Sequence, residues 1–69
     1  MSKAFGEHLR NLRKIRTNYS QQQMADLINV GRSTYTYYET GKSEPNYQNL
    51  KKLARIFNID VNTLLDYDE

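Results

Sequence analysis

Sixty-nine residues with no cysteine and one histidine make a single small domain (1–69) that must fold on apolar packing, since neither a disulfide framework nor a zinc site lies within this composition. The net charge of +2 is unevenly spread: Lys3, Arg10, Arg13, Lys14 and Arg16 face only Glu7 before residue 20, while Asp66, Asp68 and Glu69 form an acidic tail. A basic front end suits a polyanionic partner as well as plain solvent. With no apolar run near the ~18 residues of a membrane span and no charged-then-apolar leader, a soluble cytoplasmic protein is expected.

The spacing of Phe5, Leu9 and Leu12, with His8 and Ile15 on neighbouring angles, predicts a first helix over about 3–16, broken by Thr17 and Asn18. His8 has no nucleophile or carboxylate at a recognisable spacing and reads as a residue at the core margin. Ser20 begins a second helix, over 21–28, as N-cap, and Gln23 completes an S-x-x-Q capping box. Met24, Ala25, Leu27 and Ile28 supply its apolar face, and Asn29 suits the left-handed conformation that ends a helix. Val30 then plugs the turn. Gly31 is the N-cap of a third helix, over 32–40, which ends at Gly41.

A fourth helix is expected over about 46–57, with Asn46 as a competent cap and Leu50, Leu53, Ala54 and Phe57 as a buried stripe at i, i+3, i+4 and i+7. Asp60 caps a short fifth helix over about 61–66 that carries Val61, Leu64 and Leu65. No strand pattern appears, so the fold class is all-α, a compact five-helix bundle. Within it, Ser20 to Pro45 reads SQQQMADLINVGRSTYTYYETGKSEP, two short amphipathic helices joined by a tight turn. That is the layout of a helix-turn-helix, whose second helix enters the major groove of DNA.

Four segments, FGEHLRNLRKIR, YSQQQMADLINV, RSTYTYYETGKSEP and NLKKLARIFNIDVNTLL, in this order and spacing, resemble the Cro/repressor-type (XRE-like) helix-turn-helix family of phage and bacterial regulators. The resemblance covers about residues 5–66 and implies the phage-repressor DNA-binding fold. Two departures stand out. Thr17-Asn18 adds a residue where the family has a one-residue turn, and Gly31 replaces a frequent Ser or Thr cap.

The resemblance places Tyr35 and Tyr38 in the core and turns Arg32, Ser33, Thr36 and Tyr37 outward as base readers. Arg32 has the donors for guanine O6 and N7, and its cation at a helix start opposes the helix dipole. Ser33 and Thr36 are short donor-acceptors, Thr36 with a methyl for thymine, and Tyr37 offers a ring for a methyl or sugar and a hydroxyl for phosphate. Gln21 and, more weakly, Gln22 are implied phosphate ligands at the second helix N-terminus, where free N–H groups favour anions. Gln21 is also expected to brace the side chain that leads the third helix. Thr40, Lys42, Asn46 and Tyr47 resemble a second phosphate clamp, which sets register rather than sequence preference. Arg13 and Glu39 form the implied structural ion pair, with Lys14 the alternative partner if the extra loop residue shifts the register. Tyr19 and Tyr67 are marginal.

An enzyme is not expected. The chain has no Gly-rich phosphate loop, no metal constellation, no nucleophile–base pair and little room for a substrate pocket. No cofactor, metal or small-molecule ligand is implied. The expected function is a sequence-specific double-stranded DNA-binding regulator, in the main a repressor. It would act in a bacterial or phage cytoplasm, nucleoid-associated when bound, as a homodimer on a partly palindromic operator, with dimerisation in solution or only on DNA. Ile59, Val61 and Leu65 are candidates for the dimer interface. The alternative within the same fold is an antitoxin or adaptor whose main partner is another protein. An RNA-binding module lacks the aromatic strand platform or GXXG loop it would need.

Overall fold

The computed structural model describes residues 3–66; Tyr67, Asp68 and Glu69 of the acidic tail lie outside the described residues. The chain forms α1 (Lys3–Arg16), α2 (Gln21–Ile28), α3 (Arg32–Thr40), α4 (Tyr47–Phe57) and α5 (Val61–Leu65), and none of the described residues is in a strand. The local chemistry at the helix ends accounts for most of these bounds. Ser20 Oγ accepts the Gln23 N–H at 3.1 Å while Gln23 Oε1 accepts the Ser20 N–H at 2.8 Å, so the capping box is closed in both directions.

Asn29 (φ 62°) and Asn58 (φ 59°) end α2 and α4 in the left-handed conformation, and the residue after each, Val30 or Ile59, donates its N–H back to Ala25 or Ala54 at 3.0 Å. Both following residues then pack their apolar side chains against the core. The same Asn-then-aliphatic device thus closes two helices. Lys52 Nζ and Arg16 add cations at the carbonyls of Ile28 and Phe57, each at 3.4 Å, where the C-terminal end of a helix dipole favours positive charge.

Two helix bounds differ from the expected ones. Helix α4 begins at Tyr47 rather than 46, because Asn46 stays extended (φ −74°, ψ 174°) and its side chain accepts the Asn49 N–H at 2.9 Å. A residue in that role stands outside the helix. Helix α5 ends at Leu65 rather than 66, where Asp66 leaves helical geometry (ψ 87°).

The core gathers Phe5 and Leu9 of α1, Met24, Ala25 and Ile28 of α2, Tyr35 and Tyr38 of α3, Leu50, Leu53, Ala54 and Phe57 of α4, and Leu64 of α5. Two apolar residues expected on buried faces are exposed instead: Ile15 at 78% and Leu27 at 52%. At about 100° per residue, Ile15 sits roughly 120° around α1 from the direction shared by Phe5, Gly6 and Leu9. Leu27 is likewise on the far flank of α2 from Ala25. Leu65 is at the edge of exposure, and Val61 and Ile59 are half-buried.

Gly6 decides how closely α1 crosses α3. A Cβ at this position would stand 2.4 Å from the Glu39 carbonyl oxygen and 2.8 Å from that of Tyr38. These neighbours are backbone and have no rotamer to move. Gly6→Ala is therefore expected to destabilise the fold by about 1–3 kcal/mol or more through overpacking, read as a lower urea midpoint. An unchanged midpoint would mean that the two helices do not touch here.

Candidate nucleic-acid interface

Helix α3 is anchored on one side and open on the other. Tyr35, Tyr38 and Glu39 are its buried residues, and the opposite side carries Ser33, Tyr37 and Thr40, with Arg32 and Thr36 flanking them. Arg32 and Ser33 are exposed in the first turn, Tyr37 is 41% exposed and Thr36 is half-buried. Thr34, exposed on the other flank, was not among the expected base readers. Because α3 has only about two and a half turns, its direction depends on what holds its buried side.

The hold is a single carboxylate. Glu39 is buried, and four donors converge on its two oxygens. Arg13 Nε (2.7 Å) and the Tyr35 hydroxyl (2.5 Å) reach Oε2, while Gln21 Nε2 (3.0 Å) and a terminal nitrogen of Arg13 (3.2 Å) reach Oε1. Arg13 also donates to the Tyr19 carbonyl at 3.1 Å, so one guanidinium joins α1, the loop before α2 and α3. Arg13, not Lys14, is the partner of Glu39; Lys14 is exposed. The extra residue in the Thr17-Asn18 turn is absorbed locally, with Thr17 Oγ1 donating to the Arg13 carbonyl at 2.6 Å and accepting the Tyr19 N–H at 3.0 Å.

Burial by itself would raise the Glu39 carboxyl. The hydrogen bonds from Arg13, Tyr35 and Gln21 outweigh it and hold the group below the usual carboxylate range. Burial first, then the bond to Glu39, pushes the Tyr35 hydroxyl up, and the bond to Glu39 raises Arg13. At neutral pH the cluster is a charged pair with neutral donors. With side chains only 13% and 2% exposed, removal of one charged partner strands the other, at a cost of roughly 3–5 kcal/mol.

The expected phosphate ligands fall into distinct settings. Gln21 is half-buried and spans two helices, its Nε2 on Glu39 and its Oε1 accepting from the Thr36 hydroxyl at 3.3 Å. The side chain it braces is thus Thr36, one turn into α3, rather than Arg32 at its start. Gln22 turns along its own helix to Asp26 Oδ1 at 2.9 Å. Beyond α3, Lys42 Nζ lies 4.9 Å from the centre of the Tyr37 ring, and Thr40 donates to the Tyr37 carbonyl at 3.4 Å. Asn46 is committed to capping α4, and Tyr47, 64% exposed, carries Lys51 Nζ 5.0 Å over its ring.

Three of these contacts have a recognisable sequence signal. The i, i+4 spacings of Tyr35 with Glu39 and of Tyr47 with Lys51 put each pair on one helix face, as does Gln22 with Asp26. The partner of the Tyr38 hydroxyl, Asn49 Nδ2 at 3.2 Å, belongs to another helix and has no such signal.

What emerges is a polar, partly cationic helix face backed by the Glu39 cluster. The groove lined by Lys51, Ala54, Arg55, Asn58, Ile59, Asp60 and Val61 is open and lies between α4 and α5, away from α3. Among the described residues no group of His, Cys, Asp and Glu could hold a metal ion, and no helix is long and apolar enough to cross a membrane.

Comparison with known proteins agrees with this geometry. A family model described as helix-turn-helix matches residues 9–64. The chain is 43% identical over 61 residues to the SPbeta prophage-derived HTH-type transcriptional regulator YonR of Bacillus subtilis, covering 88% of this chain and 56% of that protein. It spans about half the length of the curated relatives it matches. Among solved structures, the restriction-modification controller protein C.AhdI of Aeromonas hydrophila superposes with a TM-score of 0.81 at 32% identity, over 91% of this chain and 94% of that one. The P22 c2 repressor in complex with a synthetic operator superposes with a TM-score of 0.76 at 27% identity, over 97% and 100%.

The Glu39 cluster makes stability pH-dependent in a defined direction. A carboxyl held below its ordinary value of 4.5 contributes fully above that pH, and its contribution fades as pH falls through the folded-state value. Urea unfolding is expected to show stability falling as the pH is lowered from 4.5, and Glu39→Gln, weaker at pH 7, should lose less over the same interval. Parallel curves for the two proteins would remove Glu39 as the titrating group.

Proposed function

The chain belongs to the Cro/repressor-type (XRE-like) helix-turn-helix family, and from that premise we propose that it is a double-stranded DNA-binding transcriptional regulator that reads the major groove with the α3 face. The observation that carries the reading is the backing of α3. Glu39, Tyr35 and Tyr38 are locked into the core, and Arg32, Ser33, Thr36 and Tyr37 remain on or beside the open face. The relation to the P22 c2 repressor, solved on an operator, supports the same partner. The phage repressor RstR of Vibrio cholerae, 31% identical over 65 residues, supports repression.

In this mechanism Arg32 donates to guanine O6 and N7, and Ser33, Thr36 and Tyr37 meet the neighbouring base edges or sugars. Phosphates on one side meet the N-terminus of α2, where the Gln21 and Gln22 backbone N–H groups project. On the other side they meet Thr40, Lys42 and the α4 N-terminus at Asn46 and Tyr47. The Tyr37 ring holds the Lys42 ammonium beside the reading face, which suits a contact at the edge of the groove. Two copies bind a partly palindromic operator with half-sites on the order of 10 bp apart, and occupancy blocks polymerase. Ile59, Val61 and Leu65 are the proposed contact between copies.

The test is selection of bound duplexes from a random pool at about 0.15 M salt, near physiological ionic strength. A palindrome with half-sites one helical turn apart is the expected product; failure to bind any duplex would leave the antitoxin or adaptor role. On the selected operator, Arg32→Ala should weaken binding by roughly 1–3 kcal/mol and relax one base position, whereas Lys42→Ala should weaken all sequences evenly and reduce the salt slope by about one. Equal loss on every sequence for Arg32→Ala would end its base-reading role, and an unchanged slope would end the phosphate role of Lys42.

A further inference from the structure

Glu39 has no place at the surface, yet the hydrogen-bond chain that begins at its carboxylate ends on the α3 face. An ionised carboxylate only accepts, so the Gln21 group turned toward it at 3.0 Å must be the amide NH2. The Gln21 carbonyl oxygen is thereby directed at Thr36, 3.3 Å away, and a carbonyl also only accepts. The Thr36 hydroxyl therefore spends its single proton on Gln21. What remains of Thr36 for a ligand is two lone-pair directions and a methyl group. Thr36 is half-buried and next to Gln21, so this arrangement is held on two sides.

We infer that Glu39 acts from the interior as a positioning residue that sets the hydrogen-bond polarity of Thr36, making it an acceptor-plus-methyl reader of an A·T pair. The adenine N6 amino group supplies the proton that the Thr36 oxygen needs, and the thymine methyl of the same pair meets the Thr36 methyl. A serine in the same place would lose the methyl contact, and a hydroxyl free to rotate would accept from a donor or donate to an acceptor equally well. The inference rests on the α3 face being the groove-facing one.

The geometry at Glu39 also indicates how the polarity would be reversed. Arg13 Nε and the Tyr35 hydroxyl both donate to Oε2. In Glu39→Gln the amide oxygen stays on that side because, of the two donors at the other oxygen (Gln21 Nε2 and a terminal nitrogen of Arg13), Gln21 alone can turn over. The NH2 then faces Gln21, and the Arg13 terminal nitrogen gives up its 3.2 Å bond. Gln21 must then turn over and donate to Thr36, whose proton is released toward the groove. The preferred partner becomes a base acceptor such as thymine O4 or guanine O6.

The experiment is the random-pool selection repeated with Thr36→Val and Glu39→Gln, each first confirmed as folded by its cooperative melt. Thr36→Val keeps the methyl and the shape and loses the oxygen. For the wild type an A·T pair is expected at one position of each half-site, and purine in place of that adenine, which deletes only the N6 amino group, should weaken binding about three- to tenfold, the scale of one net hydrogen bond. The same replacement should leave Thr36→Val binding unchanged. Glu39→Gln should move the preference at that position alone from the amino-bearing base to an acceptor-bearing one, an effect that simple loosening of the fold would not produce. A wild-type operator whose every position is unaltered by Thr36→Val, or indifferent to the purine replacement, overturns the inference while leaving the DNA-binding function standing. A pool with no enriched motif removes both. If Glu39→Gln does not fold, Gln21→Ala takes its place: it removes the acceptor of the Thr36 proton, so the preference at that position should relax, and a preference as sharp as the wild type's overturns the inference.

Discussion

A buried carboxylate is tolerable only if its charge and its lone pairs are matched, and Glu39 is matched by four donors drawn from three different parts of the chain. Arg13 comes from the end of α1, Gln21 from the start of α2, and Tyr35 from one turn earlier in α3. The arrangement makes the direction of α3 a property of the whole first half of the protein. In a domain too small to bury a large apolar core, a directional tie of this kind fixes orientation where packing alone would allow α3 to rock. Gly6 works toward the same end by a different route, since the absence of a side chain lets the α1 backbone approach the Tyr38 and Glu39 carbonyls. The polar tie and the close approach meet at the same turn of α3.

The α3 face is consequently presented by a rigid backing, with its two ends treated differently. The start carries the exposed Arg32 and Ser33. The far end is restrained, with Lys42 resting over the Tyr37 ring and Thr40 tied to the Tyr37 carbonyl. Aromatic faces attract cations, and the rings of Tyr37 and Tyr47 restrain Lys42 and Lys51 in this way.

Much of the fold could be read along the chain because its signals are local. The capping box of Ser20 and Gln23, the left-handed Asn29, Gly41 and the Leu50-Leu53-Ala54-Phe57 stripe each act over four to seven residues, and each is realised where expected. The apolar faces were less legible. Ile15 and Leu27 have the right chemistry for the core and the wrong angle, and the angle that matters is known only once the neighbouring helix is in place. On α3 the resemblance implied that Tyr35 and Tyr38 are buried and that Arg32, Ser33 and Tyr37 face out, as they do, whereas Thr36 is half-buried and the exposed Thr34 was missed. The brace on Thr36 was not legible, since it needs α2 and α3 at their crossing.

The amino-acid sequence by itself determined where helices start and stop, to within one residue at α4 and α5, and that they pack as an all-α bundle. Those properties follow from backbone conformational preference, side-chain capping and a 3.6-residue period, all of which act between near neighbours. Only the tertiary structure decided that Arg13 rather than Lys14 reaches Glu39, that Gly6 is a contact point, and that Gln21 joins Glu39 to Thr36. Those relations join residues 15 to 33 positions apart. Their distances and hydrogen-bond directions come into being only when α1, α2 and α3 cross, because no local preference specifies the angle of that crossing.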